Sequence, residues 1–503
     1  MFLNINNFFF DLKLILPELF LFVLINILLL YSLCFNKLKI DKINVNSYLS
    51  VFGLFIELLL LFNSNLLNFS IFNNSYKSLS IYIFIKIILV CCVILCLLIS
   101  IRYFFFENLF LYEYIILILF SLLGMFFLLC SNDFLSMFLS LELQSFSLYI
   151  LAAYKKNKIN SVEAGLKYYI LGGVSTCFLL FGCSIIYGFS GLYDFDDLYV
   201  YFLDFDSLLL FNNPFLIGFI LIIISFLLKL GAAPFHIWVP DVYEGIPTIL
   251  TLFFSIVPKF IIFFFLVKLY YFVFLKFFYF WHVVLILSIV LSLFIGIFGA
   301  LYQIKIKRLL AYSGISHVGF LLIGLLSNNY FFEGLVASFF YLLVYFSIIF
   351  SIFIIVLLLR VKENKLKIKN ILDFKSLLFS NYFLGIVFIF NLFSLAGIPP
   401  LAGFFSKFYI FISGLNLNFY LLILYTLVLS SIGAFYYIRL IKYVFFRENF
   451  IKKFYVDVIF YEAYILSIFT LFNILFFIYP KFLLEFIYVE ILEYKLDIIY
   501  YIL

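Results

Sequence analysis

The sequence has few charges: Asp, Glu, Lys and Arg make up only 12% of its 503 residues, whereas 67% are hydrophobic. Soluble domains contain about 25% charged residues, so this composition excludes a soluble protein. Apolar runs of about 20 residues recur along the chain, and that length crosses a bilayer as a helix. We therefore predict an all-α polytopic membrane protein in which the few charges inside apolar runs carry the function.

Residues that hold cofactors are also scarce. The chain has three histidines and seven cysteines, with no C-x-x-C pair, a pattern that favours small core residues over metal ligands or disulfides. No G-x-G-x-x-G motif follows a strand-like segment, and there is no P-loop. We expect no redox centre, nucleotide site or metal in this chain. The excess of Phe and Tyr is typical of an AT-rich genome and does not indicate a ligand cage.

Fourteen apolar runs predict transmembrane helices. They lie near 14–35, 49–62, 79–101, 109–130, 134–153, 165–188, 209–233, 246–275, 281–303, 308–327, 333–359, 378–412, 416–442 and 458–480. Several odd-numbered connections are rich in Lys and Arg, whereas the connection between spans 6 and 7 is acidic. By the positive-inside rule, both termini should lie opposite the basic loops, and no nucleic-acid partner is needed to explain the net charge of +6. The first residues lack an Arg-rich stretch and a cleavage site, so we expect no removed targeting peptide.

Two of the predicted spans contain helix-breaking residues beside a lysine. The breaking residues are Gly231 and Pro234 in span 7, beside Lys229, and Gly397, Pro399 and Pro400 in span 12, beside Lys407. Glycine and proline together cannot continue a helix at membrane depth. Spans five apart cross the membrane in opposite directions, and broken helices in oppositely oriented halves are typical of inverted-repeat transporters. We favour that interpretation over two unrelated proline kinks.

Four charged residues and one histidine lie deep within the predicted spans: Glu142, Lys229, Lys259, Lys407 and His317. Glu142 lies roughly 13 Å from the start of its helix, at about 1.5 Å per residue. A lone charge at that depth costs at least about 2.5–3.5 kcal/mol, so each needs a partner or a water-filled cavity. A carboxylate that approaches and leaves a buried lysine would act as a proton switch.

Other ionisable residues in the spans favour simpler interpretations. We expect helix-end side chains that reach the membrane surface at Lys86, Lys268, Lys276, Glu57 and Glu113. His236 should orient the broken segment, and His282 should lie at the membrane interface.

Five segments of the sequence are similar to one known family. They are SLELQS at 140–145, EAGLKYYILG at 163–172, KLGAAPFHIWVPDVYEG at 229–245, KRLLAYSGISH at 307–317 and LAGIPPLAGFFSK at 395–407. Together they resemble NADH dehydrogenase subunit 2 of respiratory complex I, the antiporter-like subunit called N in bacteria. The resemblance implies two inverted five-helix repeats, helices 4–8 and 9–13. It divides the chain into three N-terminal helices (1–103), the first repeat (104–277), the second repeat (278–446) and a last helix with a tail (447–503).

The resemblance also implies residue roles. Glu142, Lys229, Lys259 and Lys407 would form the proton path, with His317 as a relay, and no residue of the first three helices is assigned. Lys407 favours subunit 2 over the subunit 4 relatives, which have a glutamate at this position. The chain ends shortly after span 14, which disfavours the subunit 5 relatives with their long C-terminal lateral helix.

The expected function is proton translocation by a non-redox subunit of NADH:ubiquinone oxidoreductase, coupled to quinone reduction. NADH, FMN, iron–sulfur clusters and ubiquinone would be bound by other subunits. Partners would be the antiporter-like and small hydrophobic subunits of the membrane arm, together with lipids. A stand-alone cation/proton antiporter is the alternative, and the deep charges disfavour a mere scaffold. The AT-rich skew favours the mitochondrial inner membrane over a bacterial plasma membrane.

Overall fold

A computed structural model describes residues 11–34, 41–64, 69–107, 111–203, 214–327, 332–361, 367–445, 454–455 and 458–502. The described residues are almost all helical. The chain forms two compact units, one of Met1–Phe226, Val257–Phe280 and Glu493–Leu503, the other of Leu227–Ile256 and Trp281–Leu492.

The first part of the chain contains eight α-helices and one hairpin. The helices are α1 (Leu16–Cys34), α2 (Asp41–Asn63), α3 (Ser80–Glu107), α4 (Leu111–Cys130), α5 (Phe134–Ala152), α6 (Ile159–Ser190), α7 (Phe195–Leu203) and α8 (Phe215–Leu230). Strands β1 (Phe69–Ile71) and β2 (Tyr76–Ser78) precede α3 and pair antiparallel, with Phe69 opposite Ser78.

The second part continues with helices of very different length. They are α9 (Trp238–Gly245), α10 (Thr248–Lys268), α11 (Phe278–Leu301), α12 (Ile306–Leu326), α13 (Glu333–Leu358), α14 (Leu377–Ser380), α15 (Tyr382–Ala396), α16 (Ala402–Asn416), α17 (Tyr420–Phe445), α18 (Phe460–Leu475) and α19 (Lys481–Ile502). A π-helical turn, Leu269–Val273, extends α10, and 3₁₀ turns occupy Leu275–Phe277, Ile371–Ser376 and Phe476–Ile478. Strands β3 (Arg360–Val361) and β4 (Phe454–Tyr455) pair antiparallel.

Twelve helices among the described residues are long and apolar enough to cross a membrane, which confirms the predicted class of all-α polytopic membrane protein. At predicted spans 7 and 12 the chain forms two shorter apolar helices, α8 and α15. Each of them ends at a break and is followed by a second helical piece. The total of fourteen spans, the inverted repeats and the domain boundaries stay predictions.

Sequence reasoning missed helix α19. We expected only a tail after span 14, whereas α19 is 22 residues long. Glu, Lys and Asp interrupt its apolar pattern, so it does not have the composition of a span. Parts of the predicted basic connections 1–2, 11–12 and 13–14 lie outside the described residues, as do Asp204 and Asp206 of the acidic connection.

Helix α5 begins at a fixed position because its N-terminus is capped. The carboxylate of Asp133 accepts a hydrogen bond from the backbone N–H of Ser136 at 2.5 Å, which satisfies a donor that the helix leaves free. Gly124 allows α4 to approach closely, since a Cβ there would lie 2.7 Å from the backbone nitrogen of Gln144. Capping and close packing together hold the helix that bears Glu142.

Candidate functional site

Lys407 lies near the start of α16, and its side chain folds back onto the end of α15. Its Nζ donates hydrogen bonds to the carbonyl oxygens of Leu395 and Ala396, at 2.8 and 3.0 Å, and the residue is 8% exposed. The last carbonyls of a helix lack partners within it and carry partial negative charge. The buried ammonium group is therefore stabilised by a helix terminus.

The break after α15 has the geometry of a Schellman motif. Gly397 has φ +84°, its N–H donates to the carbonyl of Ser394, and the N–H of Ile398 donates to the carbonyl of Phe393. Only glycine adopts this left-handed conformation without steric cost. A Cβ on Gly397 would lie 3.2 Å from Lys407 Nζ, so the missing side chain also leaves room for the lysine.

Gly403 allows α16 to pack directly on the break. A Cβ at this position would lie 1.9 Å from the carbonyl oxygen of Ser394, far inside contact distance. The N–H of Gly403 donates to Ser394 Oγ at 3.0 Å, so a buried donor at the start of α16 is satisfied. This close approach brings Lys407 within reach of the α15 carbonyls.

His317 and Lys407 line one small cavity. Its other lining residues are Tyr341, Val344, Tyr345, Ile348, Ser394, Leu395, Gly403 and Ser406. The cavity offers about 10 Å³ to the centre of a water molecule, which is close to the least that holds one water. Several of the lining side chains can donate or accept hydrogen bonds. The structure therefore brings together two of the five predicted site residues around a space suited to a single water.

His317 is buried between two tyrosines. Its Nδ1 is hydrogen-bonded to the hydroxyl of Tyr341, and its Nε2 lies 3.1 Å from the hydroxyl of Tyr437. A neutral imidazole donates from one ring nitrogen and accepts at the other, so a proton that enters at one can be matched by release from the other. The ring of Tyr345 lies 4.8 Å from the imidazole, centroid to centroid.

Sequence reasoning missed these tyrosines. Tyr341 and Tyr345 lie one helical turn apart on α13, and Tyr437 lies on α17. The chain contains 39 tyrosines, so no local signal distinguishes these three. Only the packing of α12, α13 and α17 reveals that they surround His317.

The break after α8 has the same hydrogen-bond pattern as the break after α15. Gly231 has φ +75° and its N–H donates to the carbonyl of Leu228, while the N–H of Ala232 donates to the carbonyl of Leu227. Trp238 Nε1 donates to the same Leu228 carbonyl at 2.9 Å. Lys229 lies in the last turn of α8, where a helix terminus favours a cation, and its Nζ is inaccessible to solvent.

Helix α9, which follows this break, is anchored to the N-terminus of α12. Arg308 donates to Asp241 at 3.1 Å and lies 3.5 Å from Glu244, to which Lys305 is also bonded. Lys307 Nζ donates to the carbonyl of Ile246 at 2.5 Å. The basic residues of the predicted connection 9–10 thus hold the segment that continues from Lys229.

Glu142 and Lys259 belong to the first compact unit, whereas Lys229, His317 and Lys407 belong to the second. Glu142 is half-buried and its Oε2 accepts from Ser145 Oγ at 3.3 Å. Lys259 is 4% exposed and follows Pro258 in α10. The Glu142–Lys229 pair stays a prediction.

The prediction that Lys86, Lys268 and Glu57 reach the membrane surface is wrong, because their side chains are buried. Lys268 is 2% exposed and donates to the carbonyl of Ser131 at 2.6 Å. Lys86 is 3% exposed and lies 2.5 Å from a carboxylate oxygen of Glu18. Glu57 is fully buried. Single charges in membrane helices commonly reach the surface, but tertiary packing encloses these three.

The other two residues predicted to reach the membrane surface, Lys276 and Glu113, are more accessible than these three. Lys276 is exposed, as the interpretation requires, and Glu113 is half-buried and accepts from Tyr112 at 3.3 Å. His236 is half-buried within the break, and the ring of His282 packs on Phe419 with centroids 5.1 Å apart.

Acidic residues gather outside the membrane-spanning helices, beside the N-terminus of α5. Lys77 lies 2.6 Å from Asp196, whose Oδ2 also accepts from Asn74 and Asn132 at 2.7 and 2.8 Å. Burial opposes ionisation of Asp196, but Lys77 and these hydrogen bonds outweigh it and lower its pKa. Burial, together with repulsion by neighbouring aspartates, raises the pKa of Asp194 to about 6.

Apolar spanning helices, two helix breaks that each lie beside a lysine, and a cavity shared by a lysine and a histidine define a class: an antiporter-like membrane protein. Among the described residues, no group of three or more His, Cys, Asp and Glu side chains is placed to hold a metal ion. The seven cysteines are free thiols.

Comparison with known proteins agrees with this class. The family described as NADH:quinone oxidoreductase/Mrp antiporter, transmembrane, matches residues 131–472. The chain is 37% identical over 477 residues to NADH-quinone oxidoreductase subunit N of Pelagibacter ubique (strain HTCC1062), covering 94% of this chain and 98% of that protein. It is also 37% identical over 480 residues to NADH-ubiquinone oxidoreductase chain 2 of Marchantia polymorpha, covering 92% and 95%.

A solved structure shows the same fold. A chain of respiratory complex I from Thermus thermophilus with bound aureothin superposes with a TM-score of 0.76 at 24% identity, covering 93% of this chain and 98% of that chain. The chain belongs to the NADH:quinone oxidoreductase/Mrp antiporter family, and within it to the relatives named subunit N or chain 2. The resemblance to NADH dehydrogenase subunit 2 is confirmed.

Proposed function

We propose that this chain is a proton-translocating, non-redox membrane-arm subunit of NADH:quinone oxidoreductase, complex I, and that it moves protons as quinone is reduced elsewhere in the complex. The observation that carries this proposal is the cavity shared by Lys407 and His317. It combines a buried ammonium group, space for a water molecule and a histidine hydrogen-bonded on both sides.

The contacts in the second unit support a specific relay. Lys407 gives a proton to a water molecule in the cavity, and the water gives one of its own to the hydroxyl of Tyr341. That hydroxyl passes its proton to Nδ1 of His317, and the Nε2 proton leaves toward the hydroxyl of Tyr437. The water, Tyr341, His317 and Tyr437 each donate one proton as they accept another, so no charge remains on them, and Lys407 is left neutral until it is reprotonated.

We assign further roles to Glu142, Lys229 and Lys259. Glu142 and Lys229 would form a pair that opens and closes, and Lys259 would pass protons toward Lys407. The burial of Lys259 and the matching breaks beside Lys229 and Lys407 support these roles. The matching breaks also favour the inverted repeats of helices 4–8 and 9–13.

The partners and the location follow from the same proposal. NADH, FMN, iron–sulfur clusters and ubiquinone would bind to other subunits. The chain would contact antiporter-like and small hydrophobic subunits of the membrane arm and lipids. We place it in the mitochondrial inner membrane, because its amino-acid composition is typical of an AT-rich genome. Its relatives include both chain 2 of a plant and subunit N of a bacterium.

The test compares two lysine variants in the assembled complex. Lys407→Met removes the ammonium group at the break, and Lys276→Met removes an exposed lysine as the matched control. Proton uptake per NADH oxidised is measured in inverted membrane vesicles with a pH-sensitive dye. We expect lower uptake for Lys407→Met and an unchanged value for Lys276→Met. Unchanged stoichiometry in an assembled Lys407→Met complex would contradict the role of Lys407.

A stand-alone cation/proton antiporter is the alternative, because the matching family includes Mrp antiporters. It predicts a different assay result. Purified particles without NADH dehydrogenase activity would then exchange protons for Na⁺ or K⁺ down an imposed gradient. Co-purification of the chain with NADH dehydrogenase activity supports the complex I subunit instead.

A further inference from the structure

Two carboxylates and an ammonium group are buried together in the three N-terminal helices. Glu18 lies on α1, Glu57 on α2 and Lys86 on α3, and they are 1%, 0% and 3% exposed. Lys86 Nζ lies 2.5 Å from Glu18 Oε1, which also accepts from the hydroxyl of Tyr76 at 2.7 Å. Neither the family resemblance nor the proton path proposed above uses these residues.

Glu57 has no such bonds. Among the described residues, neither of its carboxyl oxygens has a hydrogen-bond partner, although both are inaccessible to solvent. Glu57 lies close enough to Glu18 and Lys86 to interact with both charges. The second oxygen of Glu18, Oε2, is likewise buried without a partner, so the cluster contains an unused hydrogen-bond acceptor.

The charges in this cluster balance only if one proton is bound. Lys86 neutralises one carboxylate, and Glu18 is the one in contact with it. A second ionised carboxylate would leave a net negative charge in an apolar interior, which is costly without a partner. Among the described residues, the other titratable groups that interact with Lys86 are Tyr76 and the thiol of Cys130 on α4, and neither is a cation.

We propose that Glu57 binds an exchangeable proton in the N-terminal helices and that this proton moves to Glu18 when the Glu18–Lys86 pair opens. Glu57 is protonated while the pair is closed. When the pair opens, Glu57 releases its proton to the unused oxygen of Glu18 and then pairs with Lys86 as a carboxylate. The proposal adds a protonatable site to helices outside the antiporter-like repeats, and it does not depend on the roles of Lys407 or His317.

The test is infrared spectroscopy of the intact complex in H₂O and D₂O. A protonated carboxylic acid gives a carbonyl band that a carboxylate lacks, and the band shifts in D₂O if the proton exchanges. We expect one such band to disappear in Glu57→Gln and to persist in Glu113→Gln, which removes a half-buried glutamate of α4. A carboxylic acid band that is the same in the wild type and in Glu57→Gln would overturn the proposal.

Two further variants test the charge balance even where Glu57→Gln fails to assemble. Glu18→Gln leaves Lys86 with Glu57 as its only carboxylate, so the carboxylic acid band should be lost. Lys86→Met leaves two carboxylates without a cation, so a second carboxylic acid band should appear. A band that is insensitive to both variants, or one that does not shift in D₂O, would show that Glu57 binds no exchangeable proton. These outcomes are independent of proton uptake by the Lys407 variants.

Discussion

Replacing Gly397 with alanine should impair proton uptake without changing any protonatable group. Gly397 lies in the left-handed region, where an alanine costs about 1–2 kcal/mol. The new Cβ would also lie 3.1 Å from Cδ and 3.2 Å from Nζ of Lys407, so the lysine would have to shift by a few tenths of an ångström. That shift weakens its bonds to the carbonyls of Leu395 and Ala396.

The magnitude follows from those two bonds. A hydrogen bond to a charged group contributes about 1.5–3 kcal/mol. Losing one of the two would lower the equilibrium constant for the correctly held Lys407 by about 10- to 100-fold, at 1.36 kcal/mol per factor of ten. We expect a decrease in NADH-driven proton uptake of up to this size.

Gly191 is the matched control for this prediction. It ends α6 with φ +70°, and no atom lies within 4 Å of a Cβ built there. Gly191→Ala therefore introduces the same backbone strain and contacts no lysine. Proton uptake is measured with a dye in vesicles and normalised to assembled complex on native gels. Equal losses for Gly191→Ala and Gly397→Ala would refute the argument, as would no loss for either.

Three further predictions concern other contacts. Tyr341→Phe removes the hydroxyl bonded to His317, and proton uptake should fall by at least about 10-fold. The control Tyr302→Phe, at an exposed tyrosine, should have no effect. Equal uptake by both variants would exclude Tyr341 from the relay. Asp194→Asn should stabilise the complex above about pH 6, because the raised pKa makes ionised Asp194 unfavourable in the folded state. Thermal unfolding measured across pH should show this gain vanish below about pH 4, where aspartate is protonated in the folded and unfolded chain alike. A gain in stability that does not depend on pH would contradict the prediction. Lys268→Met leaves the buried carbonyl of Ser131 without its ammonium donor and should destabilise the complex by about 1–3 kcal/mol. The loss should be measured as a lower unfolding temperature. An unchanged unfolding temperature would show that this hydrogen bond is not important for stability.

Both helix breaks could be located from the sequence because their cause is local. Gly397 ends α15 by adopting positive φ, and the prolines that follow lack the N–H that would continue the helix. Lys407 could be identified in the same way, because a lysine inside an apolar run is unusual at any position. The contacts that stabilise its charge could not be predicted: sequence reasoning expected a carboxylate or water, and the structure shows two carbonyls at a helix end.

The N-terminal cluster shows the opposite case. The sequence predicts that Lys86 and Glu57 reach the membrane surface, because single charges in membrane helices commonly do so. Their burial depends on how α1, α2 and α3 pack, and Glu18 is separated from Lys86 by 68 positions in the chain. Nothing in the local sequence of either residue indicates the other.

The sequence by itself determined the membrane class, most of the spanning helices, the two breaks and the rare deep charges, since hydropathy, proline and glycine act over a few residues. Only the tertiary structure decided which groups face each other: His317 with Tyr341 and Tyr437, and Lys86 with Glu18. The physical reason is that a polar group buried in an apolar interior is costly unless a partner stabilises it. Those partners come from helices far apart in the chain, whose side-chain contacts depend on how the helices pack.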